Sequence, residues 1–184
     1  SWSCFRQEEN SLKENDCIPI EHQNTPLLLS YTNNKLNLLS NVCTHRAHIL
    51  IDKKTNNSCI KCPYHGRQFD LEGFCKSSPG FEKDELKDSN NNLLKLNQYR
   101  FLDLFFYSIR PSFQLKNTIN EIKKIMNFID HNDLTYEHSL SKTFVYDVNW
   151  ALYCENYLEG LHIPFVHKGL AQHINFASYK TIVK

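Results

Sequence analysis

The sequence predicts an α+β fold: a β-rich stretch first, then a linking helix, then the opening of a second α+β unit. Three observations carry this. Short apolar runs broken by turn residues fill 18–75 and resume at 93–109. After Pro111 the apolar period lengthens from that of a strand to that of a helix. Near the C-terminus a strand-like and a helix-like segment follow each other. The reading gives a first domain over 1–110 and the opening part of a second over 111–184.

Each element has its own warrant. "PLLLSYTNNKLNLLS", residues 26–40, is two apolar runs around Asn33-Asn34, a hairpin signal because Asn tolerates left-handed backbone angles. "RQFDLEGFC", residues 67–75, reads as a second hairpin turning at Asp70 to Gly73. "EKDELKDSNNN", residues 82–92, is polar and unpatterned and reads as a solvated surface loop. "LLKLNQYRFLDLFFYSI", residues 93–109, is rich in branched and aromatic residues and reads as two more strands. Thr118 and Glu121 form a capping box, and Ile122, Ile125, Met126 and Ile129 give a packing stripe. "SKTFVYDVNW", residues 141–150, reads as a strand, and "ALYCENYLEGLH", residues 151–162, as a helix ending near Gly160.

Composition excludes several classes. Formal net charge is +1 with acids and bases mixed, so no basic block points to nucleic acid. No apolar run approaches the roughly 18 residues of a membrane span. The N-terminus lacks the basic start and apolar core of a signal peptide. Seven cysteines, an odd number spread from Cys4 to Cys154, suit reduced thiols better than a disulfide-stapled secreted domain, and imply a cytoplasmic protein. The first residue is Ser rather than Met, which points to a processed or truncated end.

"NVCTHRAH", residues 41–48, puts Cys43 and His45 one residue apart. "CPYHG", residues 62–66, puts Cys62 and His65 three apart. Two loops that each give one Cys and one His can supply a [2Fe–2S] centre with two Cys on one iron and two His on the other. Zinc also accepts two Cys and two His, and Cys59-x-x-Cys62 has zinc-like spacing. Zinc motifs usually pair Cys with Cys and His with His, however, and Cys59 reads as a packed thiol in a strand. His48 lacks a partner loop and is read as a bystander. His22, His131, His138 and His173 are read as surface or packing residues.

The second constellation lies in "NWALYCENYLEGLHIPFVHKGL", residues 149–170. On one helix Glu155, Glu159 and His162 would share a face. His162 and His167 would splay on a straight helix, but Pro164 breaks it and lets His167 swing back. Two imidazoles on one patch are two-thirds of the 2-His-1-carboxylate set of non-haem Fe(II) oxygenases. Taken alone, the spacing is a weak metal signal and fits two partly buried histidines on an amphipathic segment better.

"NVCTHRAH…CPYHGRQFD" resembles the motif of Rieske [2Fe–2S] proteins, and of Rieske oxygenases in particular, with Ala47 where the family usually has Gly. "NW…ENYLEGLHIPFVHKGL" resembles the downstream pattern of the same oxygenases, especially the choline-monooxygenase-like branch of the ring-hydroxylating group. The resemblance implies a Rieske alpha subunit, with a β-rich cluster domain followed by a helix-grip, START-like catalytic domain. Cys43, Cys62, His45 and His65 would hold the cluster, His162 and His167 a mononuclear Fe(II), and Glu159 would be the carboxylate bridge for electrons. It further implies a ferredoxin or flavin reductase as donor, O₂ and a small organic substrate as reactants, hydroxylation or dealkylation as the reaction, and a homotrimer at full length. The family's third iron ligand is an Asp further downstream, so the chain is expected to be a truncated piece. The alternative is a Rieske ferredoxin-like carrier without oxygenase activity, which leaves 113–184 unexplained. Respiratory members brace their loops with a disulfide, at positions matching His48 and Tyr64, and place hydroxyls at positions matching Arg67 and Phe69. Loss of those donors implies a potential in the lower half of roughly −150 to +300 mV, against which the Arg67 charge would act.

Overall fold

The computed structural model describes residues 1–6, 12–134 and 137–180, in two compact units, Ser1–Tyr136 and Glu137–Lys184. The first unit holds three antiparallel sheets. In the four-stranded one, β2 (Asp16–His22), β3 (Thr25–Thr32), β4 (Lys35–Ser40) and β5 (Thr55–Asn56) stand in the order β4-β3-β2-β5. A second joins β1 (Ser3–Arg6), β10 (Leu104–Ser108) and β9 (Asn97–Phe101) in that order. The third and smallest is β6 (Ile60–Lys61), β7 (Gln68–Phe69) and β8 (Cys75–Ser77).

The apolar run in β3 is continuous because both faces of that strand are covered. Leu28 faces a cluster with Cys43, Ile60, Cys62, Phe69 and Leu71. Leu27 and Leu29 face the opposite cluster with Leu38, Leu96, Phe105 and Tyr107. Alternate residues of a strand point to opposite faces, so a strand between two cores has no polar side. Burial of each leucine contributes roughly 2 kcal/mol. The first core lies under the two Cys/His loops and holds both cysteines.

Both expected hairpins form. Asn33 and Asn34 have φ of 52° and 58° and join Thr32 to Lys35, the geometry of a two-residue turn with both residues left-handed. Asp70 to Gly73 turn β7 into β8, with a register irregularity at Gln68/Phe69. The strands expected in 93–109 are β9 and β10.

Four readings are corrected. Residues 82–92 are not an unpatterned loop. They form 3₁₀ turns at Glu85–Lys87 and Ser89–Asn91, with Leu86 buried and Asp88 accepting a hydrogen bond from the Asn90 N–H. The linking helix α1 (Leu115–Ile125) has Gln114 as its N-cap, so Thr118 and Glu121 lie inside it and make no capping box. Its buried residues are Leu115 and Ile119, while Ile125 faces solvent. The helix lies beside β9, and burial of Leu115 and Ile119 contributes more than a cap would. Residues 141–150 pair with no strand among the described residues, and Val145 is 91% exposed. A strand without a neighbour leaves its backbone groups unpaired, so apolar composition alone does not make one. Cys59, finally, is exposed rather than packed.

The first unit runs to Tyr136 and includes α1, whereas the sequence reading drew its boundary at 110. The second unit contains α2 (Trp150–Tyr157) and two single-turn helices, α3 (Ile163–Val166) and α4 (Lys168–Ala171). Asn149 caps α2 by accepting from the Ala151 N–H. Among the described residues no helix is long and apolar enough to cross a membrane.

Candidate metal centres

Two six-residue loops built on the same hydrogen bonds carry the first donor set. In loop 43–48 the Cys43 N–H donates to the His48 carbonyl at 2.8 Å and the Ala47 N–H to the Cys43 carbonyl at 2.9 Å. In loop 62–67 the Cys62 N–H donates to the Arg67 carbonyl at 2.8 Å and the Gly66 N–H to the Cys62 carbonyl at 3.0 Å. Each loop turns on a left-handed residue at its fifth position, Ala47 at φ 52° and Gly66 at φ 75°. Asn41, one residue past the end of β4 and two before Cys43, holds the first loop's base: its amide donates to the Ile51 carbonyl and accepts from the Ile51 N–H.

The loops bring like donors together. The Cys43 and Cys62 thiols adjoin each other, both buried. The His45 and His65 rings lie 4.8 Å apart at 65°. Among the described residues no three His, Cys, Asp or Glu side chains converge to hold one ion. A pair of thiols beside a pair of imidazoles suits a two-iron cluster better than a single tetrahedral zinc, which needs all four donors at one point. The donor chemistry fits as well. His45 Nδ1 is buried with no hydrogen-bond partner, an orphan that a metal would satisfy. Burial, with help from His65, Arg67 and Arg46, pushes His45 below the usual imidazole range, and neutral imidazole is the ligating form. Burial pushes the Cys43 thiol up, and Cys62 adds to it, so a cation beside Cys43 is what would hold it as a thiolate. His48 is exposed, with Nδ1 on the Ile49 carbonyl and its ring 5.5 Å from that of Tyr64.

The second donor set lies in the second unit. The helix ends at Tyr157, earlier than expected, so Glu159 and His162 do not extend its face, and Glu155 stays behind on α2. Pro164 sits in the first turn of α3, where its missing N–H costs nothing. His162 and His167 flank α3 and still meet, with ring centroids 5.3 Å apart at 74°. Glu159 Oε1 bonds His162 Nδ1 at 2.5 Å, and its other oxygen accepts from the Leu161 N–H. The hydrogen bond with His162 holds the Glu159 carboxyl below the usual range. A carboxylate on Nδ1 leaves Nε2 as the free lone pair and fixes the ring. An open cleft of about 580 Å³ is lined by these three residues and by Asn156, Tyr157 and Tyr179. The Tyr179 hydroxyl packs onto Gly160, where any Cβ would collide with it.

Sequence reasoning missed Asn41, Thr44, Ser78 and Asn91. Their signal is weak: small polar residues near a ligand look like any turn. His22 bonds the Tyr107 hydroxyl at 2.8 Å and packs on Phe5, in keeping with a packing role.

Two Cys/His loops, one following β4 and one joining β6 to β7, define the class: a β-supported centre of thiol and imidazole donors. The profile of the Rieske [2Fe-2S] domain matches residues 1–100, more than half of the chain, and the chain belongs to that family. It is 29% identical over 153 residues to choline monooxygenase of Beta vulgaris, covering 80% of this chain and 34% of that protein. It is 29% identical over 142 residues to putrescine 2-hydroxylase of Ralstonia nicotianae, covering 77% and 36%, and 26% identical over 190 residues to the carnitine monooxygenase oxygenase subunit of Acinetobacter pittii, covering 97% and 49%. The fold matches a quaternary ammonium Rieske monooxygenase in complex with L-carnitine with a TM-score of 0.66 at 22% identity, over 95% of this chain and 51% of that one. It also matches naphthalene 1,2-dioxygenase, with a TM-score of 0.64 at 19% identity, over 94% and 41%. The chain thus spans about a third to a half of the length of these proteins.

Proposed function

We propose that this chain is part of a Rieske-type oxygenase component, an oxidoreductase. The observation that carries the reading is the presence of both donor sets in one chain: paired thiols and imidazoles at 43–65, and His162 with His167 beside Glu159. Cys43 and Cys62 would hold one iron of a [2Fe–2S] cluster and His45 and His65 the other, with His162 and His167 holding a mononuclear Fe(II). When bound, the cluster supplies one-electron transfer and the single iron supplies O₂ activation. Glu159 keeps the Nδ1 proton of His162 in place, orients the ring, and serves as the carboxylate bridge. The exposed His65 edge is the face open to a ferredoxin or flavin reductase. The remaining reactants are O₂ and a small organic molecule; the relatives' names span choline, putrescine, carnitine and toluate. A trimeric assembly at full length and a cytoplasmic location complete the reading, the latter in keeping with an odd number of cysteines, seven, spread along the chain. The carrier alternative is weakened because the likeness to oxygenases continues over 95% of the chain, past the cluster domain.

Metal analysis tests this. The purified chain is expected to be red-brown with two irons and two labile sulfides, lost in Cys43→Ser and in His65→Ala. Anaerobic Fe(II) titration should show one weaker site that disappears in the double variant His162→Ala/His167→Ala. Stoichiometric zinc without labile sulfide would overturn the cluster, and Fe(II) binding that survives the double variant would overturn the second site.

A further inference from the structure

Arg67 lies two residues past His65 and is 2% exposed. Its side chain crosses from the second loop to the first. Nε donates to Ser78 Oγ at 3.1 Å, and one terminal nitrogen donates to Thr44 Oγ1 at 3.0 Å and to Asn91 Oδ1 at 3.2 Å. Thr44 stands between Cys43 and His45. The Phe81 ring lies 5.1 Å from the guanidinium carbon. Every partner is neutral, and no carboxylate among the described residues pairs with Arg67. A buried unpaired ion costs several kcal/mol, and a guanidinium does not escape by losing its proton. Such a charge persists where a nearby negative group offsets the cost. Its charge reaches the His45 ring and the Cys75 thiol, and its Thr44 bond sets it against the loop of Cys43 and His45, so among the described residues the centre those ligands would hold is the negative group placed to offset it.

We propose that Arg67 is a positioning residue that sets the cluster's potential: its buried charge favours the reduced form, and its fork ties the two loops together. This rests on the cluster reading above. Reduction takes one electron from the donor and turns one ferric iron ferrous, with no bond broken and no proton needed. The site becomes more negative by one unit, so its attraction to a fixed positive charge grows. Burial keeps the local dielectric low and salt screening weak. The midpoint is therefore higher than the loss of the hydroxyl donors alone would set it.

The test uses the iron-loaded chain, with iron and labile sulfide content measured beside the midpoint from protein-film voltammetry at low and high salt. Arg67→Met should lower the equilibrium constant for reduction at least tenfold, 59 mV for a one-electron couple, at both salt levels. Arg67→Lys keeps the charge but not the fork, so it should stay within threefold of the parent while melting at a lower temperature. Asn91→Asp keeps its shape but pairs the guanidinium with a carboxylate. It should lower the constant about tenfold with full cluster content, and it serves where Arg67→Met takes up no cluster. Asn90→Asp, at the exposed neighbour, should change it less than twofold. An unmoved midpoint in Asn91→Asp, or equal falls in the Met and Lys variants, overturns the role of Arg67 while leaving the cluster reading intact. Zinc in place of iron and sulfide overturns both.

Discussion

Ala47 and Gly66 occupy the same place in the two loops, and only one of them is suited to it. A left-handed φ costs a residue with a Cβ about 1 kcal/mol relative to glycine. Ala47→Gly is therefore expected to raise the stability of the iron-loaded chain by about 1 kcal/mol, read from denaturant unfolding; a loss would show that the alanine methyl makes contacts worth more than the strain. Asp16 gives a pH-dependent case. Burial alone would push its carboxyl up, yet bonds from Asn56, Lys54 and the Lys13 N–H hold it at about 2. A folded value below the unfolded one, about 3.9, means the contribution is complete above pH 4 and is lost as pH falls toward 2. Its size is roughly 2 kcal/mol. Asp16→Asn should thus lower stability at pH 7 and flatten the acid limb between pH 4 and 2; a limb unchanged in slope would place the acid sensitivity elsewhere. At this scale the candidate ligands were legible because Cys and His are rare and their spacing is uncommon. The groups around them were not: nothing in "KSSPG" marks Ser78 as a partner of an arginine eleven residues earlier.

Elements were legible where the local pattern and the tertiary environment agree. The Asn33-Asn34 hairpin needs only its own turn chemistry and two flanking apolar runs, all visible in 26–40. Segment 141–150 has strand composition, but pairing is a property of a neighbour and cannot be read from ten residues. The polar run 82–92 misled for the opposite reason: Asn91 and Asn92 look solvated, yet their side chains accept from Arg67 and from the Cys75 N–H. In α1 the helical period was legible and the buried phase was not. Leu115 and Ile119 are the covered residues, and Ile125, one face round, is 63% exposed. Ile119→Ala should cost about 2–4 kcal/mol and Ile125→Ala less than about 0.5 kcal/mol. Equal losses by thermal unfolding would place the helix in another phase.

Across the whole chain, burial is unevenly shared. Both apolar clusters belong to Ser1–Tyr136, and the candidate cluster ligands rest on the first of them. In Glu137–Lys184 the large apolar side chains Val145, Trp150, Leu161 and Phe165 are all exposed, and Gly160 is the buried residue among those described. Local opening is easiest where few apolar contacts hold the backbone. The order of the two donor sets along the chain was legible from sequence, but this difference in burial was not, because it depends on what covers each face. The iron-loaded chain of 184 residues should therefore be cut first within 139–159 by a protease of broad specificity. The surviving N-terminal piece should keep its colour, both irons and both labile sulfides, and amides of β3 and β4 should be the slowest to exchange. First cuts within 16–77, or colour lost at the same rate as the 139–159 cut, would show that the two units do not hold their donor sets independently.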